Sequence, residues 1–189
     1  MTLELFSLKG KTALVTGATR GIGLSMTIAL AEAGAEIILL QRDEAQRHTK
    51  DEIKSLGREA TIIQCDLSSQ ESVASAVNQA LSRHQVDVVL NCGGMQYRAD
   101  AEVFPFEEYQ KVLQTNLTSA FVICRAVGAY WLTNGNKGNI INVASLASFQ
   151  GGVRMTAYAS SKGGILQLTK ALSNEWAGKG IRVNAVAPG

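Results

Sequence analysis

Short apolar runs rich in β-branched residues recur along the chain: TALVTG at 12–17, AEIILLQ at 35–41, EATIIQCD at 59–66, VDVVLNCG at 86–93, NIINVAS at 139–145 and IRVNAVAP at 181–188. Their length and near-continuous apolar character predict strands buried on both faces. Segments of helical period lie between them. Gly34, Gly57 and Gly180 each follow such a segment at the point where a helix would stop on a left-handed residue. Ser68 with Glu71 has the spacing of a capping box ahead of SVASAVNQALSR.

Strand and helix alternating throughout implies parallel strands joined by right-handed crossovers. The expected architecture is therefore α/β: a doubly wound (Rossmann) open parallel sheet of six strands with helices on both faces. A chain of 189 residues is long enough for one core and short for two, so residues 1–189 are expected to form a single domain.

Composition removes several classes of function. Apolar residues make up 46% and charged residues 18%, and the formal net charge is +2 with Lys and Arg scattered, so no nucleic-acid or membrane partner is indicated. Two histidines, and three cysteines at 65, 92 and 124 without C-x-x-C pairing, argue against a metal site and a disulfide framework and fit a reducing, cytoplasmic setting. The opening MTLELFSLKGK carries Glu4 in a short apolar stretch and lacks a secretory h-region, and no run reaches membrane-spanning length.

Ligands of an open α/β sheet sit beyond the carboxyl ends of the strands, where strand order reverses. The first strand ends in TGATRGIG, Thr16 to Gly23, and runs into an apolar helix. Gly17 can turn with positive φ, Gly21 leaves room for a phosphate or ribose at the backbone, and Gly23 lets the helix pack closely on the sheet. The turn, with Thr19, Arg20 and Ile22, then presents the N–H groups of a helix N-terminus to a pyrophosphate. At the end of the second strand an NAD site usually carries an acidic side chain for the ribose 2′-hydroxyl. Gln41 stands there, followed by Arg42, and Arg20 adds a second cation. These favour NADP(H), while Gln41 leaves NAD(H) open, since an amide also hydrogen-bonds a plain ribose.

The three residues between the first two glycines of TGATRGIG begin a resemblance that continues in order along the chain. Asp66 and Leu67 in CDL, Asn91 and Gly93 in NCGG, Asn116 in QTNLTSAF, Ser145 in NVAS, and Tyr158 with Lys162 in a Y-x-x-x-K pattern all follow, up to Pro188 and Gly189. In these motifs the chain resembles the short-chain dehydrogenases/reductases, with Gly93 in place of the usual alanine. The resemblance implies a dinucleotide held by the glycine turn, by Asp66 and Leu67 near the adenine, by Asn91 and Gly93, by Tyr158 and Lys162, and by Pro188 and Gly189. It implies a catalytic set of Asn116, Ser145, Tyr158 and Lys162. The segments ASLASFQGG and SNEWAGKGIRVNAVAPG are similar to those of members acting on keto-deoxy sugar acids such as 2-deoxy-D-gluconate. A 3-oxoacyl reductase-like activity and nucleotide binding without turnover are the alternatives.

Tyr158 and Lys162, four apart, share one face of a helix. A phenol ionises near pH 10, and lowering that to about 7 takes roughly 4 kcal/mol. One positive charge about 4 Å away, at an effective dielectric near 20, supplies about that much. Tyr158 would then exchange a proton with an alcohol or ketone while Ser145 hydrogen-bonds the reacting oxygen. By the resemblance, Lys162 also holds the nicotinamide ribose and Asn116 anchors a water that relays the proton.

Two expectations concern assembly and extent. Family members pair through two long helices, here about 106–133 and 156–178, so a homodimer or homotetramer is expected, with Gly128 and the small residues at 159–164 allowing close approach. The family's segment after Pro-Gly carries a substrate lid, a last helix and a last strand. Their absence makes a fragment of a working enzyme the leading expectation, ahead of a truncated nucleotide-binding chain and a scaffold completed by a partner.

Overall fold

The computed structural model describes residues 4–189. Met1 to Leu3, part of the opening segment read for a leader, lie outside them. Six parallel strands form one sheet: β1 (Thr12–Thr16), β2 (Glu36–Gln41), β3 (Ala60–Gln64), β4 (Val88–Asn91), β5 (Gly138–Val143) and β6 (Ile181–Val186). Their order is β3-β2-β1-β4-β5-β6, so the winding reverses between β1 and β4. The expected doubly wound sheet is therefore the observed one. The helices are α1 (Gly21–Glu32), α2 (His48–Ser55), α3 (Gln70–Arg83), α4 (Phe106–Leu113), α5 (Ser119–Thr133), the short α6 (Ala147–Gln150) and α7 (Thr156–Trp176).

Period-two alternation in the strands builds a core on each face of the sheet. Leu14, Ile38 and Leu40 point to the side packed by Val73 and Val77 of α3, Val127 and Trp131 of α5, and Trp176 of α7. Ala13, Val15, Ile37 and Leu39 point to the other side, which meets Ala31 of α1 and Ile53 of α2.

Three local expectations need correction. Strands β1, β2 and β4 are buried almost throughout, but β6 alternates, with Ile181 and Val183 buried and Arg182 and Asn184 exposed. An edge strand packed by α7 on one side keeps its other face polar. Second, Ser69 rather than Ser68 caps α3, its Oγ accepting from Ser72 N at 3.2 Å. Ser68 is spent on Asp66 instead, donating to Oδ1 from both N and Oγ. Third, Gly128 does not open a surface for a second subunit: a Cβ there would stand 2.5 Å from the Trp176 ring of the same chain. The stop glycines do behave as read, with φ of 112°, 73° and 82° at Gly34, Gly57 and Gly180.

The stretch expected as one helix over 106–133 is continuous but widens into a π turn at Gln114–Thr118, between α4 and α5. Asn116 sits in that turn, the kind of local departure from helical spacing that recurs at functional sites. No helix among the described residues is long and apolar enough to cross a membrane.

Candidate active site

A cleft of about 910 Å³ opens over the carboxyl ends of β1, β2, β4 and β5, at the reversal in strand order where an open α/β sheet binds ligands. The glycine turn forms one wall. Gly17 has φ 74°, and a Cβ on it would lie 2.6 Å from Gly93 N, so the turn after β1 and the turn after β4 pack back to back. A Cβ on Gly23 would collide with the carbonyl oxygen of Gly17, so this glycine allows α1 to start directly beneath the turn. Gly21, at φ 56°, would carry a Cβ into open space. Arg20 at the N-cap gives no side-chain cap, and the first turn of α1 has no acidic residue. The N–H groups there suit an anion. These features fit a dinucleotide pyrophosphate.

The second strand supplies the next wall. Gln41 is 6% exposed, and its Nε2 donates to Asp43 O at 2.7 Å and to Gln46 O at 2.8 Å. Both amide hydrogens are thus committed to shaping the loop that carries Arg42. Gln41 Oε1 is buried with no partner among the described residues. Asp43 closes a local turn onto Ala45 N at 2.9 Å, and α2 begins only at His48. Arg20 and Arg42 both line the cleft beside this loop. The two Ser68 hydrogen bonds, with Arg42 and Lys111 adding smaller contributions, hold the Asp66 carboxyl below its ordinary range. Both bonds fall on Oδ1, which leaves Oδ2 available to an amino group.

At the far end stand Ser145, Tyr158 and Lys162, all lining the cleft. Lys162 is 5% exposed, its Nζ donates to Val143 O at 2.5 Å, and it lies 5.9 Å from the centre of the Tyr158 ring. Burial pushes its ammonium below the usual lysine range, opposed by Cys92. Ser145 Oγ accepts from Ala147 N at 3.1 Å, which leaves its hydroxyl hydrogen free to donate.

Of the residues expected to touch the cofactor, Thr19, Ile22, Leu67, Gly93, Pro188 and Gly189 also line the cleft, whereas Thr16 and Asn91 do not; nor does Asn116, expected as a catalytic residue that anchors a water. Each of the three works from behind. Thr16 Oγ1 accepts from Cys92 N and Gly93 N at 3.2 and 3.1 Å, fixing the turn after β4. Asn91 is turned into the core, donating to Asn142 Oδ1 at 2.9 Å; Asn142 donates to Thr169 Oγ1 at 2.9 Å. This buried ladder ties β4, β5 and α7 together and so fixes the helix that carries Tyr158 and Lys162. Asn116, 2% exposed, accepts from Met95 N at 2.8 Å and donates to Met95 O at 2.9 Å and Ser161 Oγ at 3.0 Å. Both its amide hydrogens are occupied, so its side chain positions Met95 and α7.

Reading by motif missed Met95, Gln96, Cys92 and Lys111, which line the cleft from the segment after β4 and from α4. It also missed Ser161, which donates to Tyr158 O at 2.7 Å. Nothing in their spacing marks them: Thr16 fixes Cys92 after β4, α4 carries Lys111, and Asn116 in the turn at 114–118 bonds Met95 and Ser161.

Comparison with known proteins agrees with this geometry. Residues 11–189 match the family model for short chain dehydrogenases. A 2-dehydro-3-deoxy-D-gluconate 5-dehydrogenase of Bacillus subtilis is 44% identical over 186 residues, spanning 98% of this chain and 73% of that protein. A solved structure from Beutenbergia cavernae, provisionally named an NAD(P) dependent gluconate 5-dehydrogenase and holding NADP at low occupancy, superposes with a TM-score of 0.93 at 41% identity, covering 97% of this chain and 74% of that one. An NAD+-bound xylitol dehydrogenase superposes at 0.90 with 34% identity, covering 96% and 71%. Relatives thus bind either NADP or NAD. The chain belongs to the short-chain dehydrogenase family, oxidoreductases that act on CH–OH groups with NAD(P).

Proposed function

We propose that the chain interconverts a ketone and a secondary alcohol on a keto-deoxy sugar acid, with NADP(H) as the favoured cofactor. The observation that carries this reading is one continuous cleft with the glycine turn at one end and Ser145, Tyr158 and Lys162 at the other. The nicotinamide, when bound, supplies or accepts the hydride.

The chain's own residues handle the proton and the charge. Tyr158 gives its phenolic proton to the ketone oxygen during reduction and takes it back during oxidation. Ser145 donates to the same oxygen as negative charge develops there. Lys162, one helical turn from Tyr158, sets its ammonium 5.9 Å from the centre of the Tyr158 ring and would hold the nicotinamide ribose. Asn116 acts as a positioning residue through Met95 and Ser161. Asp66 Oδ2 and Leu67 receive the adenine, and the N–H groups of Gly21 to Gly23 receive the pyrophosphate.

Arg20 and Arg42, which line the cleft with the uncharged Gln41 at the end of β2, support a 2′-phosphate over a bare hydroxyl. Pairing into a dimer or tetramer through α5 and α7 rests on two exposed apolar side chains of α5, Phe121 and Leu132, at 42% and 41%. Size-exclusion chromatography that shows only monomer removes that part.

Reduction of NADP+ and NAD+ is followed with 2-dehydro-3-deoxy-D-gluconate and, separately, oxidation of NADPH and NADH with a 3-oxoacyl thioester. The reading expects turnover of the sugar acid with NADP+. Turnover of the thioester alone would replace the substrate class, and NADPH binding without turnover would leave a nucleotide-binding chain.

A further inference from the structure

Ser148 does not line the cleft, yet its hydroxyl joins the backbones of two residues that do. Its Oγ accepts from Ser145 N at 3.1 Å and donates to Lys162 O at 2.8 Å. A hydroxyl has a single hydrogen to give, and here that hydrogen goes to α7 while a lone pair holds the end of β5. One side chain thus spans the strand end that carries Ser145 and the helix that carries Tyr158.

The other bonds of this segment do not reach α7. Ser148 N donates to Ser145 O at 2.9 Å, and Ala147 N donates to Ser145 Oγ at 3.1 Å, so residues 145–148 close a tight turn on themselves. Leu146 N donates to Pro188 O at 2.9 Å, which ties the turn to the segment after β6. Among the described residues, the Ser148 hydroxyl makes the one hydrogen bond between the turn and α7. Packing gives it little help, because Ala147 is the only buried residue of α6, and Leu146 and Phe149 are 47% and 65% exposed. The two helices do meet at this point: a Cβ on Gly163 would lie 4.0 Å from Ser148 O.

The position of this contact matters for the chemistry. Ser145 and Tyr158 must reach the same substrate oxygen, one from the turn and the other from α7, and a donor acts on developing charge only within about 2.7–3.1 Å. A misplacement of about 1 Å is enough to cost roughly 100-fold in rate. Lys162 Nζ fastens α7 to Val143 O of β5. The Ser148 hydroxyl then fixes the turn against α7.

We propose that Ser148 is a positioning residue, which sets the Ser145 hydroxyl against the Tyr158 hydroxyl by holding Ser145 N and Lys162 O together. This rests on the roles proposed above for Ser145 and Tyr158. The test measures reduction of NADP+ with 2-dehydro-3-deoxy-D-gluconate, beside NADPH fluorescence titrations, for the wild type, Ser148→Ala, Ser148→Thr, Ser145→Ala and the double variant Ser145→Ala with Ser148→Ala. Ser148→Ala is expected to lower kcat about 10-fold, with KM within about twofold and NADPH affinity close to wild type. Ser148→Thr, which keeps the hydroxyl, is expected to regain most of the lost kcat. Ser145→Ala alone should cost about 100-fold, and adding Ser148→Ala to it should cost nothing more, because the hydroxyl to be placed is gone. An equal loss from Ser148→Ala in both backgrounds would assign Ser148 to the fold in general and overturns the proposal. Wild-type kcat in Ser148→Ala, no recovery in Ser148→Thr, or NADPH binding lost together with turnover also overturns it. Wild-type turnover in Ser145→Ala, or a wild type without turnover, overturns the reading beneath it, and the proposal falls with that reading.

Discussion

Lys162 donates from Nζ to the carbonyl oxygen of Val143 at the end of β5, so α7, which carries the proposed catalytic pair, is fastened to the sheet by one of that pair. The attachment holds the ammonium at the Tyr158 ring at the cost of burying a charge. Replacing Lys162 by Met removes the buried charge and keeps most of the aliphatic volume. The folded chain holds the Lys162 proton less tightly than the unfolded chain does. The site therefore weighs against folding at neutral pH, and that penalty is relieved as the pH rises through the folded value towards the ordinary 10.5. Lys162→Met should unfold at the same or a higher temperature than wild type at pH 7. That advantage should shrink in melts at increasing pH, while ketone reduction falls by about 100-fold or more.

Gln41 gives a prediction opposite to simple motif exchange. Placing an acid at the end of β2 would usually favour NADH. Here the carboxylate introduced by Gln41→Glu would face the carbonyl oxygens of Asp43 and Gln46 that the amide now serves. The substitution should therefore weaken NADPH binding about tenfold, at 1–3 kcal/mol for unsatisfied buried groups, and lower Tm without improving NADH binding. Fluorescence titrations with both cofactors check this, and a tighter NADH complex at unchanged Tm would contradict it.

The two turn glycines should differ in tolerance. Gly23→Ala places a methyl group against the backbone oxygen of Gly17, whereas Gly93→Ala meets chiefly the end of the Leu67 side chain, which can rotate away. Urea denaturation should show a loss of about 1–3 kcal/mol for Gly23→Ala, and less than about 1 kcal/mol for Gly93→Ala. Equal losses would contradict the backbone argument.

Arg154, at φ 59°, pairs through Nε with Asp100 Oδ1 at 3.3 Å. Arg154→Gly should raise stability by about 1 kcal/mol by relieving the left-handed φ. Thermal melts measure it; a lower Tm would mean that the Asp100 pair outweighs the strain.

The parts of this molecule legible in its sequence are those whose physics is local. A glycine forced to positive φ, a strand read by apolar run and a Tyr and Lys one turn apart each leave their signature within a few residues. The roles of Asn91 and Asn116 were legible only as motif membership, because what their amides bond, Asn142 and Met95, is set by strand register and by the turn at 114–118. Ser68 and Ser69 are both plausible caps by type, and the competing acceptor Asp66 decided between them. Gly128 faces Trp176 from far along the chain, a contact that no short window of sequence contains.

The central claim is that Tyr158 is the proton donor and acceptor at the end of the cofactor cleft. Tyr158→Phe keeps the ring and removes only the hydroxyl. NADPH fluorescence titration and ketone reduction, measured on the same preparation of that variant, test the claim most directly. The account predicts NADPH affinity close to wild type with turnover reduced about 10²- to 10⁴-fold, and turnover retained at the wild-type rate would contradict it.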